Sequence, residues 1–148
     1  MDKTVMIYIE KDNSYLLLYR NKKKNDINQG KYIGIGGHIE EGETPEEALV
    51  REVKEETGLT LDQYELRGKL FFYNNDYEEM IYLYTGSATG ELIECDEGEL
   101  HYIPIRDIHN YPLWEGDYVF LDLLAKNSPY FELDLIYEDD RFISYKLY

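Results

Sequence analysis

Residues 4–9 and 15–19 are dense in aliphatic and aromatic side chains and flank the turn-forming Asp12-Asn13-Ser14, so they predict a two-stranded hairpin. Residues 21–30 are polar and carry Lys22, Lys23 and Lys24, after which Tyr32, Ile33 and Ile35 run through Gly34 into Gly36 and Gly37. That order predicts a loop, a short strand and a glycine loop. The strongest helix signals fall on residues 44–58: Thr44 as N-cap, Pro45 at the first helical position, Glu47 three residues after the cap, and Gly58 just past the end. Strands are predicted at 69–73 and 80–85 around Asn74-Asn75-Asp76, and at 100–104. Residues 117–126 set Val119, Phe120, Leu123 and Leu124 at helical spacing behind Gly116 and Asp117, which predicts a second helix against the sheet. Residues 131–137 and 142–147 bracket Glu138-Asp139-Asp140-Arg141 as a last strand pair. The succession is that of an α/β chain with a mixed sheet.

At 148 residues and 43% hydrophobic, the chain is expected to form one domain over residues 1–148. The abundance of tyrosine and a 15% aromatic content argue for folded, β-rich structure over disorder. Cys95 is the only cysteine, which leaves neither an intrachain disulfide nor a Cys-rich zinc site. Residues 1–10 alternate and carry Asp2 and Glu10, unlike a secretory signal, and no apolar run is long enough to span a bilayer, so the expected location is cytoplasmic and not membrane-bound. A net charge of −16, from 31 acidic and 15 basic residues, would repel duplex nucleic acid. A small phosphate compound remains compatible if cations mediate the contact.

Charge is most informative within residues 44–58. At roughly 100° per helical residue, Glu52, Glu55 and Glu56 share one face, beside the apolar Leu49 and Val53. Glu52 and Glu56 form a like-charge i, i+4 pair, which destabilises a helix unless something compensates it. A hard divalent cation would do so, and oxygen ligands favour Mg²⁺, Mn²⁺ or Ca²⁺ over zinc. Taken alone, the same glutamates are equally a solvated helix face in an acidic chain.

The surrounding residues are Gly37, five residues, Glu43, seven residues, Arg51-Glu52, the aliphatic Val53, Lys54, Glu55-Glu56, Thr57, Gly58 and the aliphatic Leu59. This stretch resembles the signature box of the Nudix hydrolases without a departure. The resemblance implies a Nudix α/β/α sandwich with a central mixed sheet and hydrolysis of a diphosphate linkage with Mg²⁺, for which Mn²⁺ could substitute. It assigns metal binding to Glu52, Glu55 and Glu56, with the Gly36 or Gly37 carbonyl nearby. Arg51 could pair with Glu55 or reach Glu43, and its guanidinium fork would orient a carboxylate. Glu52 is one choice for the general base. Glu97, in Glu94-Cys95-Asp96-Glu97-Gly98-Glu99, is another because related enzymes often use a loop glutamate there; as a residue alone it fits a solvated acidic loop. Lys22, Lys23 and Lys24 could meet phosphates, but solvated loop side chains account for them as well.

Beyond the box, Leu113-Trp114-Glu115-Gly116-Asp117 resembles the segment beside the purine in MutT-type 8-oxo-dGTP diphosphatases. The resemblance implies that Trp114 stacks on a base and Asp117 hydrogen-bonds its edge. Without it, Trp114 is a core residue at the start of a helix and Asp117 a partner for the helix dipole. Ile33 departs from the pattern, standing where the animal oxidised-purine enzymes read the purine with an asparagine. The expected substrate is a small nucleotide, with 8-oxo-dGTP leading and ADP-ribose or another nucleoside diphosphate derivative second. A third reading, a nucleotide-binding module without turnover, sits poorly with the intact Glu43, Arg51, Glu52, Glu55 and Glu56. The oligomeric state is left open.

Overall fold

The computed structural model describes residues 1–148. Strands β1 (Asp2–Lys11) and β2 (Ser14–Arg20) form the expected hairpin. Its turn is tight because Asp12 and Asn13 both take positive φ, 51° and 59°, the conformation a two-residue hairpin loop requires. β3 (Tyr32–Ile33) pairs with β2, and β4 (Ile35–His38) pairs antiparallel with β1. The expected glycine loop is therefore partly strand. Val5 lies opposite Gly37 and Met6 opposite Gly36, and a side chain on Gly36 would come within 1.9 Å of the Val5 carbonyl oxygen. Glycine here admits a strand too close for any other residue.

Helix α1 (Pro45–Thr57) begins at a complete capping box: Glu47 N–H donates to Thr44 Oγ1 at 3.1 Å and Thr44 N–H to Glu47 Oε1 at 3.0 Å. It ends at Gly58, which is left-handed at φ 79°. β5 (Thr60–Asn74) and β6 (Tyr77–Thr89) form a long hairpin. β5 starts well before the expected residue 69; its first half is mostly exposed and polar and is strand because β6 pairs with it, not because of its composition. β7 (Gly98–Pro104) pairs with β2 and leads through a 3-10 segment, Ile105–Asn110, to α2 (Asp117–Ala125). β8 (Phe131–Glu138) and β9 (Arg141–Leu147) close the chain as the expected hairpin.

The sheet order is β3-β2-β1-β6-β5-β8-β9, with β4 on β1 and β7 on β2. β1 runs parallel to β6 and β5 to β8, so the sheet is mixed. Because side chains alternate along a strand, β1 sends Val5, Ile7 and Ile9 to one face and Tyr8 to the other. The first face joins Leu16, Leu18 and Ile35 to Ala48, Leu49 and Val53 of α1. The second joins Leu17, Leu70, Leu83, Leu133 and Leu135 to Phe120, Leu121 and Leu124 of α2. Each fully buried leucine or valine contributes roughly 1.5–3 kcal/mol relative to exposure, and together they seat one helix on each face of the sheet. No helix is long and apolar enough to cross a membrane.

Candidate active site

Seating α1 by Leu49 and Val53 turns Arg51, Glu52, Glu55 and Glu56 towards β4. Arg51 is the hub. Its Nε donates to Glu43 Oε2 at 2.7 Å and its Nη2 to Glu43 Oε1 at 2.9 Å, a two-point fork. Nη1 donates to Glu52 Oε1 at 2.7 Å and Glu55 Oε2 at 3.2 Å, and Nη2 also reaches the His38 carbonyl at 3.1 Å. The guanidinium thus makes both pairings the sequence offered it, with Glu43 and Glu55. The fork holds the Glu43 carboxyl down at about 2, helped by the Glu40 N–H that donates to it at 2.8 Å.

The Glu52 carboxylate fills the space a side chain on Gly37 would need, 2.6–2.7 Å from that Cβ position. Gly36 N–H donates to Glu56 Oε2 at 3.0 Å. Burial raises Glu52 against the pull of Arg51. Glu56 is pushed up to about 8, first by burial, then by the charges of Glu52 and Glu97, with the Gly36 N–H opposing. Hard oxygen donors crowded where their charge is costly suit a hard divalent cation such as Mg²⁺ or Mn²⁺. No group of three or more acidic, histidine or cysteine side chains is arranged to hold a metal ion in this structure: Arg51 engages Glu52 and Glu55, and the Gly36 N–H engages Glu56.

Glu97 comes to this cluster from the loop before β7. Its Oε1 lies 2.9 Å from Lys23 Nζ, and its Oε2 3.4 Å from Arg20 Nη1. Lys22 Nζ donates to the Cys95 carbonyl at 2.9 Å. Two of the three loop lysines are therefore held against the glutamate loop, a tie that sequence reading did not reveal because its partners lie more than seventy residues away. Arg20 itself is fixed by Asp26, Nε to Oδ2 at 2.8 Å.

A cleft of about 1010 Å³ runs from these carboxylates over the α2 face of the sheet; Arg20, Lys23, Glu56, Glu97, Phe72, Trp114 and Asp117 are among its lining residues. Trp114 is buried, edge-on to Phe72 and Tyr137, with Lys31 Nζ 4.7 Å from its ring centroid. Its Nε1 donates to Asn28 Oδ1 at 2.7 Å. Asp117 keeps part of its surface open to the cleft but is otherwise enclosed, and that enclosure raises its carboxyl to about 8 while Lys31 pulls it down. Ile33 lines the same cleft and offers only apolar surface. Asn28 was not singled out from the sequence, where it is one polar residue in a polar loop; the only hint was that a buried tryptophan N–H needs an acceptor. The cleft therefore joins an acidic, cation-seeking end to an aromatic end with a few polar groups, the arrangement of a small-molecule site.

The family model described as NUDIX domain matches residues 2–124. An uncharacterized Nudix hydrolase of Bacillus subtilis, YvcI, is 30% identical over 127 residues, 81% of this chain and 77% of that protein. The oxidized purine nucleoside triphosphate hydrolase of Danio rerio is 29% identical over 128 residues, 84% of this chain and 82% of that protein. A crystal structure of the MutT protein from Bacillus halodurans superposes with a TM-score of 0.89 at 22% identity, covering 99% of this chain and 97% of that one.

Proposed function

The chain belongs to the NUDIX hydrolase family, and we propose that it hydrolyses a nucleoside triphosphate to monophosphate and pyrophosphate with Mg²⁺, 8-oxo-dGTP being the leading substrate and nucleotide-pool sanitation the role. The observation that carries this reading is the single cleft joining the Glu52-Glu55-Glu56 cluster to the Trp114-Asp117 wall. The similarity to the Danio rerio hydrolase over most of both chains supports the purine triphosphate class. One domain over residues 1–148 and a cytoplasmic location belong to the same proposal.

In this reading Glu52, Glu55, Glu56 and a carbonyl of Gly36 or Gly37 hold the cation. When bound, Mg²⁺ neutralises phosphate charge and polarises the phosphoryl oxygens. Arg51 fixes where Glu52 and Glu55 point and is itself fixed by Glu43, so these two residues position the cluster. A water attacking phosphorus must lose a proton, and Glu52 and Glu97 both border the cluster to accept it. Arg20 and Lys23, beside Glu97, supply positive charge on the rim where the leaving pyrophosphate would pass. Trp114 and Phe72 wall the base, and Asp117 faces its edge.

Competition tests the substrate. With 8-oxo-dGTP, dGTP, ATP, ADP-ribose and a diadenosine polyphosphate at equal concentration, 8-oxo-dGTP is expected to have the highest kcat/KM and to yield 8-oxo-dGMP and pyrophosphate. Faster cleavage of ADP-ribose or of the diadenosine compound would replace the triphosphate assignment. Turnover of none would leave nucleotide binding without catalysis as the better account.

A further inference from the structure

β9 is the outer strand at one end of the sheet and is bonded on one side only, to β8. Tyr148 N–H donates to the Glu132 carbonyl at 3.0 Å, so Tyr148 and Glu132 form a hydrogen-bonded pair. In an antiparallel ladder such pairs alternate with pairs whose main-chain groups point away from each other. Leu147, opposite Leu133, and Tyr145, opposite Leu135, therefore turn their N–H and C=O groups outwards. Ile143 is passed over at a bulge in the same pairing. Ile143, Tyr145 and Leu147 are between 47% and 53% exposed, and Tyr148 is 65% exposed. An open apolar edge of this kind is a template for another strand, and native chains blunt such edges with proline, projecting charge, a bulge or a covering element. β9 has no proline, and Lys146 lies over the Tyr148 ring with its Nζ 4.8 Å from the centroid. The bulge sits towards the start of the strand, which leaves Tyr145 and Leu147 in regular pairing.

We propose that β9 pairs antiparallel with β9 of a second copy of this chain, about a two-fold axis at Tyr145, and so joins the two sheets into one. The strand is complementary to itself in that register. Tyr145 meets Tyr145 of the second copy, Ile143 meets Leu147, and Ser144 meets Lys146, so apolar residues face apolar ones and no two like charges stand opposite each other. Charge favours the same edge: residues 141–148 carry Arg141 and Lys146 and no aspartate or glutamate, in a chain of net charge −16. Two acidic molecules can therefore meet here without setting carboxylate directly against carboxylate. The exposed halves of Ile143, Tyr145, Leu147 and Tyr148 with the strand between them offer roughly 500 Å² per copy, on the order of 1,000 Å² for the pair, which reaches the size of a specific interface. A two-fold contact of this kind is closed and builds a dimer, not a fibre. No residue of β9 lines the cleft, so both clefts stay open in the dimer.

Sedimentation equilibrium of the whole chain over a range of concentrations reads the pairing directly. Wild type is expected to approach twice the 17.6 kDa chain mass as concentration rises. Tyr145→Lys sets two like charges against each other at the axis and is expected to raise the dimer dissociation constant at least tenfold. Tyr145 is exposed, and an unchanged circular dichroism spectrum reports that the variant folds. Oxidation reads the register. Tyr145→Cys places two thiols directly opposite each other, about 5.5 Å apart at Cα and within disulfide reach, and is expected to give a cross-linked dimer. Leu147→Cys places them on the order of 13 Å apart along the strands, and no cross-link is expected. Cys95 is buried and does not compete. A wild-type monomer at every concentration, a dimer that Tyr145→Lys leaves as tight as wild type, or cross-linking at Leu147→Cys equal to that at Tyr145→Cys would each overturn the assignment. None of these results bears on hydrolysis, so the dimer and the proposed activity stand or fall separately.

Discussion

Glu56 is asked to carry a negative charge where the fold discourages it. Its carboxyl is raised to about 8 by burial and by Glu52 and Glu97, and Asp117 is raised to about 8 by burial. Both folded values lie above the ordinary carboxylate range, so between that range and about pH 8 the folded chain holds more protons than the unfolded one. Stability is then present at low pH and lost as pH rises towards 8. In chelator, the melting temperature is expected to fall across that window, and Mg²⁺ should restore it above pH 8. Glu56→Gln keeps an acceptor for the Gly36 N–H but removes the charge. It is expected to raise the melting temperature in chelator above pH 8 and to lower Mg²⁺-dependent kcat by about 100-fold or more, the scale of losing one electrostatic contact at a reacting centre. Unchanged turnover would remove Glu56 from the cation site, and an unchanged melting profile would remove the stored repulsion.

At the scale of elements, α1 is the part whose limits were most legible, because both ends are written in local chemistry. Thr44, Pro45 and Glu47 start it, and Gly58 stops it in the left-handed conformation with its N–H bonded to the Lys54 carbonyl at 3.0 Å. A side chain at Gly58 would also approach Ile93 Cγ2 to 2.7 Å. Gly58→Ala is expected to cost about 1–2 kcal/mol, the penalty for a left-handed residue with a Cβ, measured by urea unfolding; a loss below a few tenths of a kcal/mol would contradict the cap. What was not legible had no local signal. The first half of β5 is strand through its pairing with β6, and Gly36 and Gly37 read as loop because the strand they approach, β1, lies thirty residues earlier. The same holds within the site: Glu52, Glu55 and Glu56 share a face by helical spacing, and Glu43 and Arg51 stand out through the resemblance to the Nudix box, whereas Asn28, Arg20 and Lys23 gain meaning only from partners far along the chain.

The whole molecule carries a charge of −16 and, in this account, acts on a polyanion. Coulomb repulsion would oppose that encounter unless the acidic end of the cleft works through a bound cation, with Arg20 and Lys23 the nearby positive side chains. The fold places α1 on one face of the mixed sheet and α2 on the other, and a single cleft reaches the carboxylates of the first helix and the Trp114-Asp117 wall at the start of the second. Under the proposed function, diphosphate hydrolysis depends on a cation held by that cluster. Its most direct test is to incubate the purified protein with 8-oxo-dGTP in Mg²⁺ and in chelator and to identify the products by chromatography. Monophosphate and pyrophosphate are expected with Mg²⁺ and neither in chelator. Undiminished hydrolysis in chelator, or release of diphosphate and orthophosphate in place of monophosphate and pyrophosphate, would contradict it.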